Sequence, residues 1–215
     1  MISVGPVPTS EDAESVAHEL WGFDCRVEPL AGEVDRNFLL TSNTGDRWVL
    51  KISREGADEE ALDCQIQALR FLESSPVAHL VQRVLAATDG RFFVSIEGDG
   101  GRSCWVRVLS YLDGLPLVHR GDRPPSFLEK IGRTLARLDD ALAGFDHPGA
   151  HRDLPWDIER THELGRCAEY IPDPSRRKMV ELHLEHFRRE VAPRLADLDH
   201  SFIYNDANDH NLLVS

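Results

Sequence analysis

A polar loop near the end of the sequence carries an aspartate and an asparagine five residues apart, Asp206 and Asn211. Residues 204–211 read YNDANDHN, and apolar residues flank them on both sides. A carboxylate in such a loop can orient and deprotonate an attacking hydroxyl, while an amide oxygen can bind Mg²⁺. A solvent-exposed turn rich in Asn and Asp is the alternative interpretation. The apolar flanks favour the chemical interpretation, and the spacing is typical of phosphoryl transfer.

A single lysine, Lys51, stands between apolar residues in the strand-like run Val-Leu-Lys-Ile. Burying an ammonium group in a central strand is costly unless an anion meets it, and the phosphate oxygens of a nucleotide are such anions. The alternative is a lysine near the end of a strand whose side chain extends to water. Taken alone, this residue does not decide between the two interpretations.

A short turn, residues 31–37 with sequence AGEVDRN, immediately precedes that part of the chain. A loop that covers phosphates needs free backbone N–H groups together with small or cationic side chains, and Arg36 and Asn37 qualify. The turn has one glycine, so it is not a glycine-rich loop of the GxGxxG type. An ordinary polar turn is the alternative.

The charge balance excludes some classes of partner. The 215 residues include 37 acidic and 24 basic side chains, which give a net charge of −13. Such a chain lacks the cations for sequence-independent nucleic-acid binding, and it permits a cationic partner or substrate. No apolar run is long enough to span a membrane, and the N-terminus has no signal peptide pattern, so we expect a cytoplasmic protein. Four cysteines without a CxxC pair predict neither a zinc site nor a disulfide framework.

The hydrophobic periodicity predicts a β-rich first half with one inserted helix, and a mostly helical second half. Capping boxes at Thr9/Asp12 and Ser126/Glu129 predict two helix starts. The first predicted helix follows Thr9 and ends near Gly22. The other predicted helices lie at 57–74, 126–142, 157–170 and 174–191. The predicted strands are 37–42 and 46–52, which form a hairpin, followed by 81–86, 92–97 and 103–112.

Five short motifs, in order along the chain, carry a resemblance to a known family: Asp-Arg-Asn-Phe, Val-Leu-Lys-Ile, Val-Arg-Val-Leu-Ser-Tyr-Leu-Asp-Gly, Leu-Pro-Trp-Asp-Ile and Asn-Asp-Ala-Asn-Asp-His-Asn. In this order they resemble the aminoglycoside phosphotransferase / choline kinase-like superfamily. Within it the chain is most similar to the hydroxylysine kinase branch, and also to phosphotransferase domains fused to class III aminotransferases. The resemblance runs from about residue 14 to the end.

The resemblance implies an α+β, protein kinase-like bilobal fold, with a β-rich N-lobe over residues 1–110 and a partial helical C-lobe over 111–215. It implies ATP and Mg²⁺ as cofactors. The implied reaction transfers the γ-phosphate to a hydroxyl of a small amino alcohol, a hydroxylated amino acid or an aminoglycoside-like substrate. A non-catalytic nucleotide-binding or interaction domain is the alternative.

On the nucleotide side, the resemblance implies that Lys51 contacts the α and β phosphates and that the turn residues Asp35, Arg36 and Asn37 lie over the phosphates. The backbone from Ser110 to Leu112 would hold the adenine.

On the acceptor side, the resemblance implies that Asp206 is the catalytic base and Asn211 a Mg²⁺ ligand. Trp156 and Asp157 would contact the substrate, and Asp157 would pair with a substrate ammonium group.

Two residues depart from the family pattern. The family loop commonly begins His-Gly-Asp or His-Asn-Asp, and Tyr204 takes the place of the histidine. The helix glutamate that pairs with the strand lysine corresponds by spacing to Gln65, and Glu59 or Glu60 would have to substitute for it. A neutral partner would orient Lys51 less firmly.

The third departure is that the chain ends at Ser215, before the position of a second metal-binding aspartate in the superfamily. From this we expect Mg²⁺ binding to depend mainly on Asn211 and the nucleotide, with weak or absent turnover. We also expect an incomplete C-lobe to expose apolar surface and to favour a homo-oligomer.

Overall fold

The structure, a computed structural model, describes residues 4–5, 7–98, 101–154 and 157–214. The chain forms two compact units. The first comprises Met1–Ala150 together with Phe202–Ser215, and the second is His151–Ser201. The lobe boundary predicted at residue 110 divides the chain differently, and it stays a prediction.

A six-stranded antiparallel sheet forms the first half of the larger unit. Its strands are β1 (Cys25–Leu30), β2 (Arg36–Ser42), β3 (Arg47–Ile52), β4 (Val84–Leu85), β5 (Val94–Glu97) and β6 (Ser103–Ser110). The order across the sheet is β1-β2-β3-β6-β4, with β5 also paired to β6. The predicted hairpin of β2 and β3 is confirmed. Strand β1 is missing from the sequence prediction, although residues 25–28 alternate between apolar and polar; the alternating run is short and Pro29 interrupts it.

The described part of the larger unit has three α-helices: α1 (Ser10–Trp21), α2 (Glu59–Leu72) and α3 (Pro125–Leu142). The capping box at the start of α1 is confirmed, because Thr9 and Asp12 bond each other's backbone N–H groups. The capping box predicted for α3 is wrong. That helix begins at Pro125, which places Ser126 inside the first turn, and Glu129 bonds Arg133 at 2.6 Å instead.

The two faces of the sheet pack against different helices. Leu50 and Ile52 of β3, together with Val106 and Val108 of β6, are fully buried in the core cluster that contains α1. Leu109, by contrast, packs with residues of α2. Since successive side chains of a strand point to opposite faces, Lys51 lies on the α2 face of the sheet.

A two-stranded ribbon joins the region after β6 to the end of the chain. Strand β7 (Leu115–Pro116) pairs antiparallel with β8 (Leu213–Val214). Gly114 precedes β7 with φ of 155°, and a Cβ atom there would lie 2.9 Å from the Cβ of Leu213. Glycine is therefore required by both the backbone angle and the close approach of the two segments.

The second unit is helical. It contains a 3₁₀ helix (Ile158–Tyr170), α4 (Pro174–His186), a π-helical turn (Phe187–Val191) and the short α5 (Ala192–Leu195). The segments predicted as helices at 157–170 and 174–191 are thus helical, although the first is 3₁₀ and the second ends in a π turn. Within the part of the chain that the structure describes, none of the helices has the length and apolar composition needed to cross a membrane.

Candidate active site

Three side chains form a row across the α2 face of the sheet. Lys51 of β3 is paired with Asn37 of β2 on one side and with Arg107 of β6 on the other. Directly opposed residues of an antiparallel pair share a face and lie in contact distance of each other. The structure therefore places two cations side by side in the middle of the sheet.

Arg107 is almost fully buried, with 7% of its surface exposed, and it forms an ion pair with Asp35. Its Nη2 lies 2.7 Å from Oδ2 of Asp35, a carboxylate that is itself largely covered. The pKa of Lys51 is lowered, first by burial and then by the positive charge of Arg107, and the Asp35 charge offsets part of this effect. The carboxylate that acts on Lys51 thus comes from the turn before β2.

The β1–β2 turn is held in shape by Asn37. Its Nδ2 donates to the carbonyl of Ala31 at 3.0 Å, while its buried Oδ1 accepts no hydrogen bond. A Cβ atom on Gly32 would collide with the Asn37 side chain and the carbonyl of Asp35. Arg36 is exposed and has no ion pair among the described residues. The turn therefore presents one unsatisfied acceptor opposite Lys51 and one exposed cation, Arg36, at the neighbouring position of β2.

The polar loop near the end of the chain holds Asp206 between two amides. Asn211 Nδ2 donates to Asp206 Oδ2 at 2.6 Å, and Asn208 Nδ2 donates to Oδ1 at 2.9 Å. The preceding residue, Asn205, has φ of 55°, and among the described residues it is the one non-glycine residue with positive φ. Such a backbone conformation in a residue other than glycine is frequent at functional sites. The loop is exposed, so the carboxylate is accessible to a ligand.

Backbone contacts fix this loop to the start of the helical segment. Leu117 N donates to the carbonyl of Leu212 at 2.8 Å, and Val118 N donates to the carbonyl of Asp209 at 2.9 Å. These bonds continue the contact between the two segments beyond the β7–β8 pairs. They set the position of the loop independently of its own side chains.

Two ionic side chains add to this support. Arg123 pairs with Asp209 at 2.7 Å and also donates to the carbonyl of Leu117 at 2.9 Å. On the other side of the loop, the carboxylate of Asp139 in α3 accepts from the backbone N–H of Tyr204 at 3.1 Å. The pKa of Tyr204 is raised, first by burial and then by the nearby charge of Asp206.

The end of β6 has a backbone N–H group free to bind a ligand. Ser110 N donates to the carbonyl of Arg83, and its own carbonyl accepts from Gln82 Nε2. Tyr111 N donates to the carbonyl of Arg47. For Leu112, no described residue accepts from the backbone N–H. The predicted adenine contact thus has one available donor, at Leu112.

Three other predicted residues remain, Gln65, Trp156 and Asp157. Gln65 of α2 is exposed, and its side chain bonds no described residue. Asp157 caps the 3₁₀ helix of the second unit by accepting from Glu159 N at 2.9 Å. Trp156 lies outside the described residues. Their predicted roles stay predictions.

The carboxylate and amide oxygens at Asp206 and Asn211 fit a divalent metal ion that has phosphate oxygens as further ligands. Because Asn211 uses its Nδ2 on Asp206, its Oδ1 remains as an oxygen ligand, and carboxylate and amide oxygens are what Mg²⁺ and Ca²⁺ prefer. Among the described residues, no group of three or more His, Cys, Asp or Glu side chains could hold a metal ion by itself.

Comparison with known proteins assigns the family. The family model described as "Phosphotransferase enzyme family" matches residues 26–215, which is most of the chain. The chain belongs to the phosphotransferase enzyme family. Hydroxylysine kinase of Mus musculus is 29% identical to this phosphotransferase chain over 232 residues, which cover 99% of the chain and 60% of that protein. The chain therefore spans about 60% of the length of this curated relative.

Solved structures with the same fold are kinases by their titles. Amicoumacin kinase hAmiN in complex with AMP-PNP, Ca²⁺ and Ami has a TM-score of 0.64 at 18% identity, over 89% of this chain and 55% of that chain. A microcompartment-associated aminopropanol kinase has a TM-score of 0.55 at 15% identity, over 75% of this chain and 55% of that chain. These similarities show the fold, and the expectation of a mixed, protein kinase-like fold is confirmed.

The site of this phosphotransferase includes residues that the sequence analysis missed. Arg107 has the same signal as Lys51, a charged residue within an apolar strand, but the motif that contains it does not predict a role for its charge. Arg123 and Asp139 carry no local signal, because their partners lie 86 and 65 residues away along the chain.

Proposed function

We propose that this chain binds ATP with Mg²⁺ and transfers the γ-phosphate to a hydroxyl group of a small amino-containing molecule. The observation that carries the proposal is the Asp206–Asn211 contact, which joins a candidate base to a candidate metal ligand in an exposed, well-anchored loop. The family match and the kinase-like fold support it.

The acceptor side of the reaction depends on Asp206. Its carboxylate would orient the acceptor hydroxyl and take its proton as the hydroxyl oxygen bonds to the γ-phosphorus. The bond between that phosphorus and the β–γ bridging oxygen breaks in the same step, and ADP leaves with the bond electrons. Asn208 and Asn211 hold the carboxylate by donating to each of its oxygens. The rate advantage then comes mainly from positioning.

The nucleotide side depends on the sheet. Lys51 would pair with the α and β phosphates, and Arg36 and the backbone of the β1–β2 turn would cover them. The free backbone N–H of Leu112 would donate to the adenine ring. Asn211 Oδ1 would bind Mg²⁺, which supplies charge neutralisation on the phosphate oxygens when it is bound.

The proposed class of acceptor rests on the compounds for which the relatives are named. Hydroxylysine and aminopropanol each combine a hydroxyl with an amine, and amicoumacin kinase is named for a further small molecule. The net charge of −13 is compatible with attraction of a cationic acceptor. Asp157, whose second carboxylate oxygen is not used in capping, is our candidate for the ammonium contact.

Calorimetric titration with ATP, with and without Mg²⁺, tests the nucleotide part of the proposal. We expect Mg²⁺-dependent binding that Lys51→Ala abolishes and that Lys130→Ala, at an exposed lysine of α3, leaves intact.

Release of ADP with hydroxylysine, 1-amino-2-propanol and an aminoglycoside as acceptors then tests the transfer. Binding of ATP without transfer to any hydroxylated amine would contradict the catalytic part and leave a nucleotide-binding domain.

A further inference from the structure

The buried charges around Lys51 do not balance. Lys51 and Arg107 are opposed across β3 and β6, and among the described residues Asp35 is the carboxylate that pairs with Arg107 and acts on the pKa of Lys51. Arg107 is 7% exposed, so water contributes little to its solvation. Burying charge is costly unless each ion has a partner, and two adjacent cations with one anion leave an excess positive charge.

Sheet stability does not explain this arrangement. Like charges directly opposed on one face of an antiparallel pair are destabilising. The lowered pKa of Lys51, to which the positive charge of Arg107 contributes after burial, is consistent with this repulsion. Replacing a buried ion pair by apolar residues is often neutral or stabilising. A group of charges that costs stability is typical of a binding site.

The unused hydrogen-bonding groups lie around the same cations. A guanidinium has several N–H donors in a planar fork, and one of those of Arg107 bonds Asp35. On the other side of Lys51, the buried Oδ1 of Asn37 has no partner, but it is an acceptor and does not itself bind an anion. The spare donors are those of Arg107 and Lys51, and together with the excess positive charge they suit an anion with several oxygens.

We propose that Arg107 is a second phosphate-binding cation beside Lys51, and that Asp35 is a built-in counter-ion which competes with the nucleotide phosphates for it. This inference rests on the proposed nucleotide site and names a residue and a role within it. In the absence of nucleotide, Asp35 partly neutralises the two cations. With nucleotide, the phosphates supply the missing negative charge, and the Asp35 carboxylate opposes them by repulsion and by occupying Arg107.

The proposal predicts effects of opposite sign from the two halves of one ion pair. Arg107→Met should weaken binding of Mg²⁺–ATP and of inorganic tripolyphosphate by on the order of tenfold, the effect of losing one charged contact. Asp35→Asn should tighten binding of both by several-fold, because it removes the competing charge. The double variant should bind more weakly than Asp35→Asn, because Arg107 is gone, and somewhat more tightly than Arg107→Met, because the repulsion by Asp35 is gone as well.

A purely structural ion pair predicts a different pattern. Breaking it from either side would loosen the β1–β2 turn, so that both variants would bind more weakly. Asp89 and Arg91 form an exposed ion pair at a turn of the same sheet region, and Asp89→Asn and Arg91→Met are matched controls that should leave both affinities unchanged.

Calorimetric titration of the parent chain and these variants, with thermal unfolding of each, decides the matter. Weaker binding by Asp35→Asn, or unchanged binding by Arg107→Met, overturns the proposal. Absence of binding of both probes by the parent chain also overturns it. If Arg107→Met does not fold, the sign of the Asp35→Asn effect still decides.

Failure of this inference is distinguishable from failure of the proposed function. Opposite-sign effects on tripolyphosphate in a chain that transfers no phosphate would support the inference and contradict the catalytic proposal. If the parent chain transfers phosphate but Arg107→Met binds the nucleotide with unchanged affinity, the catalytic proposal is supported and this inference is contradicted.

Discussion

The side-chain amide of Asn211 donates to the carboxylate of Asp206 at 2.6 Å. This contact orients both groups at once. It fixes the carboxylate that we propose accepts the hydroxyl proton. It also leaves Oδ1 of Asn211 outside this hydrogen bond, as the candidate ligand of a metal ion. The five-residue spacing of Asp206 and Asn211 in the sequence thus lets their two side chains form a hydrogen bond across the loop.

Asp206→Asn should remove phosphate transfer while leaving nucleotide binding intact. A general base contributes about 10²–10⁴-fold to the rate, so we expect a loss of that order in kcat. The binding groups on the sheet are unaffected by the change. ADP release under saturating acceptor measures the rate, and ATP titration measures the affinity. Asp197→Asn, at an exposed carboxylate of the second unit, is the control. Retention of normal kcat in Asp206→Asn would exclude this residue as the base.

Lys51→Met should stabilise the ligand-free chain at neutral pH while abolishing ATP binding. The substitution removes a charge that burial and Arg107 both disfavour, and we expect a gain in the free energy of unfolding of about 1 kcal/mol. Denaturant unfolding without ligand measures it, with Lys130→Met as the control. A less stable Lys51→Met chain would contradict this account of the site.

The pH dependence of that gain has a defined sign. The pKa of Lys51 is lowered below its ordinary value of 10.5 in the folded chain. Below the lowered pKa both states carry the proton, and the folded state bears the full cost of the charge. As the pH rises through the lowered pKa toward 10.5, the folded state loses the proton first and the cost disappears. The stability advantage of Lys51→Met over the parent should therefore shrink in that interval. An advantage that grows with rising pH would be the contradictory result.

Gly114→Ala should displace the loop that carries Asp206. The added Cβ meets the Cβ of Leu213 at 2.9 Å, and the φ of 155° is unfavourable for alanine. Strained backbone positions of this kind cost about 1–3 kcal/mol. The thermal unfolding temperature and kcat should both fall. The control is Gly121→Ala, where a Cβ meets no atom within 4 Å, and it should change neither quantity. Equal behaviour of the two variants would show that the β7–β8 contact does not position the loop.

The cysteines should differ sharply in reactivity. Cys167 is exposed, while Cys25, Cys64 and Cys104 are buried and in no disulfide. Burial raises the pKa of Cys25 and of Cys104, so their thiolates are scarce at neutral pH. A thiol reagent should label one site rapidly in the folded chain and the remaining sites only on unfolding. Cys167→Ser should abolish the rapid phase, and its persistence would show that a buried thiol is accessible.

Local patterns explain the elements that the sequence predicted correctly. The β2–β3 hairpin and α1 have alternating or helical apolar spacing and a turn or capping box at their ends. Strand β1 has an alternating run of only four residues, 25–28, before Pro29 interrupts it, and its place at the sheet edge leaves most of its residues exposed. In α3, the favourable position of Pro125 in the first turn outweighs the capping box that follows it.

For the site, the sequence by itself determined the chemistry that is available: a strand lysine, a polar turn, and a loop with Asp206 and Asn211. It also contained Arg107, a charged residue within an apolar strand, but nothing in the sequence showed that this arginine lies next to Lys51. Only the register of β3 against β6 set Arg107 beside Lys51, and only the fold of the β1–β2 turn brought Asp35 to it. Charge pairing depends on distance through space, and strand register decides that distance for residues that are 56 positions apart in the chain.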